Sequence, residues 1–253
     1  MRTACITGAS SGIGAEFARQ LKGKGFRLIL VSRKNKNLEP LVAELAPRGI
    51  TCIEADVSKP ADCEKIAAEC RRQNVDLFIN NAGFGSVGNF AESDLDDDCN
   101  MIDTNVRAVH ILTRLMLGFF MSKNSGYILN VASIAGLLPG GPYMATYYAT
   151  KSYVVSLTNS IREELRLAKS DVHISMLCPG PVDTNFNNRA GVVFALKGIS
   201  AKSCVRYCLR KMKTGTEIIV PGFPVRLASK FIGLSPRRPL LAFTAKQQTK
   251  KLN

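Results

Sequence analysis

Thr7-Gly8-Ala9-Ser10-Ser11-Gly12-Ile13-Gly14 is the stretch whose reading decides the fold. It follows directly on an apolar run, Arg2 to Thr7, that reads as a strand. It opens a helical stretch from Ala15 to about Lys24, in which Phe17, Ala18 and Leu21 share one face. A glycine-rich turn between a strand and a helix lets backbone N–H groups approach a pyrophosphate at the helix N-terminus. Such a turn is a weak signal alone, and its place at the first strand-to-helix junction strengthens it. Gly8, Ser10, Ser11, Gly12, Ile13 and Gly14 are therefore the first candidate binding residues.

The same alternation recurs downstream. A second strand, Arg27 to Val31, ends in Ser32-Arg33-Lys34, where a carboxylate would bind the ribose 2′-hydroxyl of NAD. No acid is present there. Arg33 and Lys34 offer positive charge instead, and a guanidinium suits the 2′-phosphate of NADP; the bland alternative is a solvated basic pair opening a helix. A third strand, Ile50 to Ala55, ends in Asp56-Val57, and a helix follows from about Lys59 to Arg72. A fourth, Asp76 to Ile79, runs into the polar turn Asn80-Asn81-Ala82-Gly83. The acidic stretch Glu92 to Asp98 reads as a solvated helix start before a helix from about Met101 to Met121, where Asn105 alone reads as a packing or capping residue. A strand at Val172 to Leu177 ends in Cys178-Pro179-Gly180-Pro181-Val182-Asp183-Thr184. Residues 185–200 read as a loop, Ala201 to Lys211 as a helix and Glu217 to Val220 as a last strand. Strands alternating with helices predict an α/β fold, a single doubly wound domain with a parallel sheet of about seven strands and helices on both faces. The domain is expected over residues 1–222, with 223–253 a basic amphipathic extension rather than a second domain.

Between the fourth and sixth strands lies the chemical centre. Tyr127 to Val131 is a buried strand that ends at Ser133; a Gly/Pro-rich loop leads to a helix carrying Tyr147 and Lys151. Four residues apart, these two share a helical face. A phenol titrates near ~10, too high for easy proton exchange, and a neighbouring ammonium favours its ionised form. Ser133, Tyr147 and Lys151 thus make a plausible acid/base centre, with Tyr148 and Tyr153 as decoys. Ligands in such sheets bind at the carboxyl ends of the strands, where all these motifs fall.

Composition narrows the remaining classes. With 46% hydrophobic residues over 253, the chain can bury one substantial core, and no run approaches the roughly 18 apolar residues of a membrane span. Because residues 2–7 already read as a strand, no signal peptide is expected. The eight Cys fall singly with no Cys-x-x-Cys, and there are two His; free thiols in a reducing cytoplasm and no metal site are expected. Residues 1–196 hold 21 Lys/Arg against 19 Asp/Glu, while residues 197–253 hold 13 against Glu217 alone. Clustered basic residues suit nucleic acid, but no aromatic-interleaved or helix-turn-helix pattern accompanies them, so no nucleic-acid partner is expected. From Pro224 onward, apolar groups (Val225, Leu227, Phe231, Ile232, Leu234, Leu240, Leu241, Phe243) alternate with Arg226, Lys230, Arg237, Arg238, Lys246, Lys250 and Lys251. Such a segment could make peripheral membrane contact; the reading given more weight is that its apolar face covers the substrate cleft or a subunit interface.

Together these motifs resemble the short-chain dehydrogenase/reductase family over about residues 2–222. The Thr7–Gly14 turn matches its cofactor turn, Asn80-Asn81-Ala82-Gly83 its strand-four motif, and Ser133 with Tyr147 and Lys151 its catalytic Ser and Tyr-x-x-x-Lys. The resemblance implies a Rossmann-type fold and an NADP(H)-dependent enzyme interconverting a ketone and a secondary alcohol on a lipophilic substrate of 3-oxoacyl, steroid or bile-acid type. It implies that Ser133 holds the carbonyl oxygen, Tyr147 transfers the proton, Lys151 lowers the Tyr147 pKa and holds the ribose, and Asn105 supports a proton relay. Asp56 would meet the adenine and Thr184 the carboxamide, with Val57, Asn80, Ala82, Gly83, Pro179, Gly180 and Val182 completing the cofactor site. A homo-dimer or homo-tetramer is expected. Phe84, Leu137, Leu138, Tyr143, Met144, Phe186, Val193 and Phe194 are the substrate-pocket candidates. The tail beyond Gly222 has no counterpart in the minimal family pattern. The rival reading of a different class is a non-catalytic NADP(H)-binding regulator on the same fold.

Overall fold

The computed structural model describes residues 1–184, 198–232 and 235–249. Its sheet holds β1 (Thr3–Thr7), β2 (Arg27–Ser32), β3 (Ile50–Glu54), β4 (Leu77–Asn80), β5 (Gly126–Val131), β6 (Val172–Leu177) and β9 (Ile218–Ile219). These seven run parallel in the order β3-β2-β1-β4-β5-β6-β9. The order reverses between β1 and β4, which makes the crevice outside their carboxyl ends the natural binding site. Two short strands, β7 (Val182–Asp183) and β8 (Ile199–Ser200), pair separately, so the loop expected over 185–200 closes in a strand. Phe186, Val192, Val193, Phe194 and Leu196 lie outside the described residues, as do Leu234, Lys250 and Lys251.

The period-two alternation of the strands sorts their side chains into two cores. Ala4 and Ile6, Leu28 and Leu30, and Leu77 and Ile79 pack on one face against α1 (Gly12–Lys22), α2 (Glu39–Leu45) and α7 (Ala201–Met212). Cys5, Ile29, Val31 and Phe78 pack on the other against α3 (Pro60–Arg72), α5 (Ala108–Ser122) and α6 (Ala145–Leu167). Strands covered on both faces read as continuous apolar runs, as observed here. Pro60 sits at the first position of α3, where its missing N–H costs nothing. Asp94 caps α4 (Leu95–Ile102) by accepting from the N–H groups of Asp96 (2.8 Å) and Asp97 (3.1 Å). The helix expected from about Met101 thus begins earlier, and a π-helical turn, Asp103–Arg107, joins α4 to α5. The basic extension forms α8 (Phe223–Phe231) and α9 (Arg237–Thr249). No helix among the described residues is long and apolar enough to cross a membrane.

One polar network crosses the second core. Asn130 on β5 accepts from Asn80 on β4 (2.9 Å) and from Thr113 on α5 (3.3 Å), and donates to Thr158 on α6 (2.9 Å). All four are buried. The network pins α6 to the strand whose end carries Ser133. Asn130→Ala leaves three buried groups short of partners and is expected to destabilise the fold by about 2–3 kcal/mol. The shift of the urea midpoint measures it, and an unchanged midpoint would show that the network carries no such weight.

Candidate active site

The loop leaving β5 places three side chains together. Ser133 accepts from the N–H of Ala135 (3.1 Å), capping the 3-10 turn Ile134–Leu137, and its hydroxyl hydrogen-bonds Tyr147. Lys151 lies one turn along α6, with Nζ 5.9 Å from the Tyr147 ring centre, and donates to the Val131 carbonyl (3.0 Å). Gly136 makes this approach feasible: a Cβ there would lie 2.4 Å from the Lys151 carbonyl oxygen. All three functional side chains are buried.

Burial dominates their acid–base behaviour. Loss of solvation pushes the Tyr147 phenol up to about 12, against a smaller lowering by the Ser133 hydrogen bond. The same loss pulls Lys151 from an ordinary 10.5 down to about 8. The sequence leads one to expect the Lys151 ammonium to depress Tyr147; in the folded chain desolvation raises it, and the lowering comes from the Ser133 hydrogen bond. Tyr147 is consequently a neutral proton donor at pH 7, while Lys151 is still mostly cationic.

Beside them opens a cavity of about 850 Å³ along the carboxyl ends of the strands. At one end Gly8, Ser10, Ser11, Gly12 and Ile13 line it, with Arg33, Asp56, Val57, Ala82 and Gly83. The first-turn N–H groups of α1 have no intrahelical acceptors, and the Ser11 side chain does not cap them. Gly12 adopts φ +54°, the left-handed region that favours glycine. This donor-rich cradle fits a dinucleotide phosphate. Asp56 is pinned, its Oδ1 accepting from Ser58 N (3.1 Å) and Ser58 Oγ (2.8 Å). It is the only carboxylate among the described lining residues; Arg33 and Lys151 are the cations. Pro179, Gly180, Val182 and Thr184 also line the cavity, with Thr184 against Gly12 and Gly180 against Val225.

Several assignments shift. Gly14 does not line the cavity; a Cβ there would fall 2.2 Å from the Gly8 oxygen, so it serves helix–strand packing. Asn80 faces the buried network instead of the cavity, because side chains alternate along β4. Asn105 also lies outside the lining. Its Oδ1 accepts from Phe84 N (3.1 Å), and its Nδ2 donates to Phe84 O (2.8 Å) and Thr150 Oγ1 (3.2 Å), so it positions the turn after β4 against α6. Phe84, Leu138 and Met144 line the cavity, whereas Leu137 and Tyr143 do not. The sequence reading missed Asn37 and Thr104 as lining groups, and it overlooked Gln248. Gln248 donates to the Tyr148 hydroxyl (2.6 Å), while its Oε1 is a buried acceptor with no partner among the described residues. Of the tail's apolar groups, which the sequence places over the substrate cleft or a subunit interface, Val225, Phe231, Ile232, Leu240 and Phe243 line the cavity.

The short chain dehydrogenase family model matches residues 2–191. The chain belongs to the short-chain dehydrogenase/reductase family. This member is 33% identical to the oxidoreductase UcpA of Salmonella typhimurium over 187 residues, 72% of this chain and 70% of that one. It is 34% identical over 179 residues to the very-long-chain 3-oxoacyl-CoA reductase of Neurospora crassa, 68% of this chain and 54% of that one. Among solved structures, a short-chain dehydrogenase from Sphingobium yanoikuyae in complex with NADPH matches with TM-score 0.83 and 27% identity, covering 94% of each chain. One from Burkholderia phymatum in complex with NAD matches with TM-score 0.82 and 29% identity, covering 92% of this chain and 94% of that one.

The lowered Lys151 pKa carries a stability consequence. Between about 8 and 10.5 the unfolded chain binds a proton that the folded chain has released, so stability rises with pH across that window. Below it, burying the ammonium costs about 3 kcal/mol. Lys151→Met removes this dependence. The unfolding free energy of the variant minus that of the wild type is expected to fall as pH rises from 7 to 10.5. A difference flat in pH would contradict the buried cation.

Proposed function

We propose that this oxidoreductase is an NADP(H)-dependent reductase of lipophilic ketones. The observation that carries the reading is the buried Ser133–Tyr147–Lys151 cluster at the wall of the cavity. NADP(H), when bound, supplies or takes up the hydride. The Ser133 hydroxyl donates to the carbonyl oxygen, and Tyr147 gives that oxygen its phenolic proton. A phenol held at about 12 keeps its proton at neutral pH, so Tyr147 enters in its donor form; it is a weak acid there, and the transfer depends on the alkoxide being the stronger base. Lys151, cationic at pH 7, stabilises the phenolate left behind. Asn105 acts as a positioning residue through the Phe84 turn.

NADP(H) over NAD(H) is supported by Arg33 at the end of β2, where no carboxylate lines the cavity to receive a ribose hydroxyl. The lipophilic class is supported by the apolar far end, built from Phe84, Leu138, Met144, Val225, Phe231 and Phe243. The name of the Neurospora relative, a very-long-chain 3-oxoacyl-CoA reductase, points the same way. The Gln248 acceptor would be satisfied by a hydroxyl or amide N–H on the substrate.

A screen of NADPH oxidation against 3-oxoacyl thioesters, oxosteroids and oxo bile acids tests the reading, with Tyr147→Phe as the discriminating variant. Turnover is expected to fall by about 10² or more in that variant, while NADPH binding persists. Tyr148→Phe, whose hydroxyl is engaged by Gln248, should keep its activity. The reverse pattern would reassign the acid.

Cofactor choice has its own test. Loss of the Arg33 contact in Arg33→Ala is expected to weaken NADPH by roughly ten- to a hundredfold relative to NADH, the scale of a charge-assisted hydrogen bond. Equal wild-type preference for the two cofactors in steady-state assays would defeat the assignment.

A further inference from the structure

α8 has an apolar character that its packing does not use up. Val225, Ala228 and Ile232 face the cavity, while Phe223, Leu227 and Phe231, spaced by four, form a stripe along the outside. Phe223 is 67% exposed, Leu227 48% and Phe231 56%, and no residue of the helix is buried. On α9, Phe243 is likewise 56% exposed. Phe231 and Phe243 both line the cavity as well, so they stand at its mouth. Around this apolar rim lie the exposed cations Lys230, Arg237, Arg238 and Lys246. Arg226 is spent differently: it donates to the Tyr207 hydroxyl (2.6 Å) and stacks on that ring.

We infer that this rim, the outer face of α8 with the exposed side of α9, docks on an anionic membrane surface. A second copy of the chain is a poor occupant. An isologous contact would set the same patch against itself, bringing Lys230, Arg237 and Arg238 against their own counterparts. Residues 197–253 hold 13 Lys/Arg against one acid, so self-contact there meets repulsion over the whole region. Anionic headgroups complement that charge, and the acyl boundary accepts exposed phenylalanines that solvent does not. Docked this way, the mouth of the cavity opens toward the phase in which an apolar molecule dissolves. The docking stands on surface residues alone and does not require the proposed reaction.

Co-sedimentation of the full chain with phosphatidylcholine vesicles, with and without phosphatidylglycerol, tests it at low and high salt. Binding is expected only to the anionic vesicles and is expected to weaken as salt screens the attraction. Each Lys or Arg near the surface contributes roughly fivefold, so Lys230→Ala/Arg237→Ala/Arg238→Ala should lose about a hundredfold in partitioning. Phe223→Ser/Leu227→Ser, whose positions do not line the cavity, should lose roughly tenfold or more. Tyr147→Phe should bind as wild type does, which separates docking from turnover. Circular dichroism confirms that each variant is folded. Absence of binding, equal binding to neutral vesicles, or binding indifferent to both surface variants would overturn the inference. So would a dimer in gel filtration that Phe223→Ser/Leu227→Ser dissolves with no vesicle binding, since the stripe would then be a subunit contact.

Discussion

A phenol and an ammonium held out of water one helical turn apart constrain the rest of the molecule. Desolvation moves Tyr147 and Lys151 in opposite directions on the pKa scale, and in both cases it disfavours the charged form. Such a pair is useful only where fixed neighbours compensate the charge at the moment it forms. Here the compensating groups come from one strand end. Val131 offers its carbonyl to Lys151, and Ser133 its hydroxyl to Tyr147. The geometry of the Ser133–Tyr147–Lys151 cluster therefore rests on the register between α6 and β5. Gly136 at the near end and the Asn130–Thr158 bond further down hold that register.

The cofactor half is tied to this centre through the turn after β4. Asn81 Nδ2 donates to Thr7 O (3.0 Å) and Gly8 O (3.1 Å), while Thr7 Oγ1 accepts from the N–H groups of Asn81 (3.0 Å) and Ala82 (3.1 Å). Close contacts replace side chains where the two turns meet: a Cβ on Gly8 would lie 2.9 Å from Ala82 Cα, and one on Gly83 2.8 Å from Asn105 Oδ1. Asn105 then passes the constraint to Thr150 on α6. The glycine-rich turn and the Tyr147–Lys151 pair are thus two ends of one contiguous set of contacts.

This explains which parts were legible in the sequence. Turns that favour glycine leave fixed spacings, so Gly8–Gly14 stood out, whereas Ser133, Tyr147 and Lys151 were only a plausible centre among decoy tyrosines until the family resemblance singled them out. The strands at Ala4–Ile6 and Leu28–Val31 were equally plain as apolar runs, but which side chain enters which of the two cores was not. Roles that depend on direction were not legible. Asn80 and Asn81 are adjacent, yet the pleat sends one side chain into the core and the other to the turn. The π-helical turn at Asp103–Arg107 aims Asn105 at Phe84, and local sequence does not announce such a turn. The balance at Tyr147 depended on how dry the site is, a property of the whole fold.

The substrate end is built on different terms. α8 and α9 carry no spacing that a reaction demands; their positions are fixed by packing, as where Leu241 meets Gly140 and Gln248 reaches Tyr148. An amphipathic pattern foretells one covered face, and α8 instead presents apolar groups on two sides, toward the cavity and toward solvent. Tyr148 stands edge-on to Tyr147 with ring centres 6.4 Å apart. The tail that closes the cavity therefore also braces the ring beside the proton donor. A change in the tail that repositions Tyr148 therefore alters both the cavity lining and the surroundings of Tyr147.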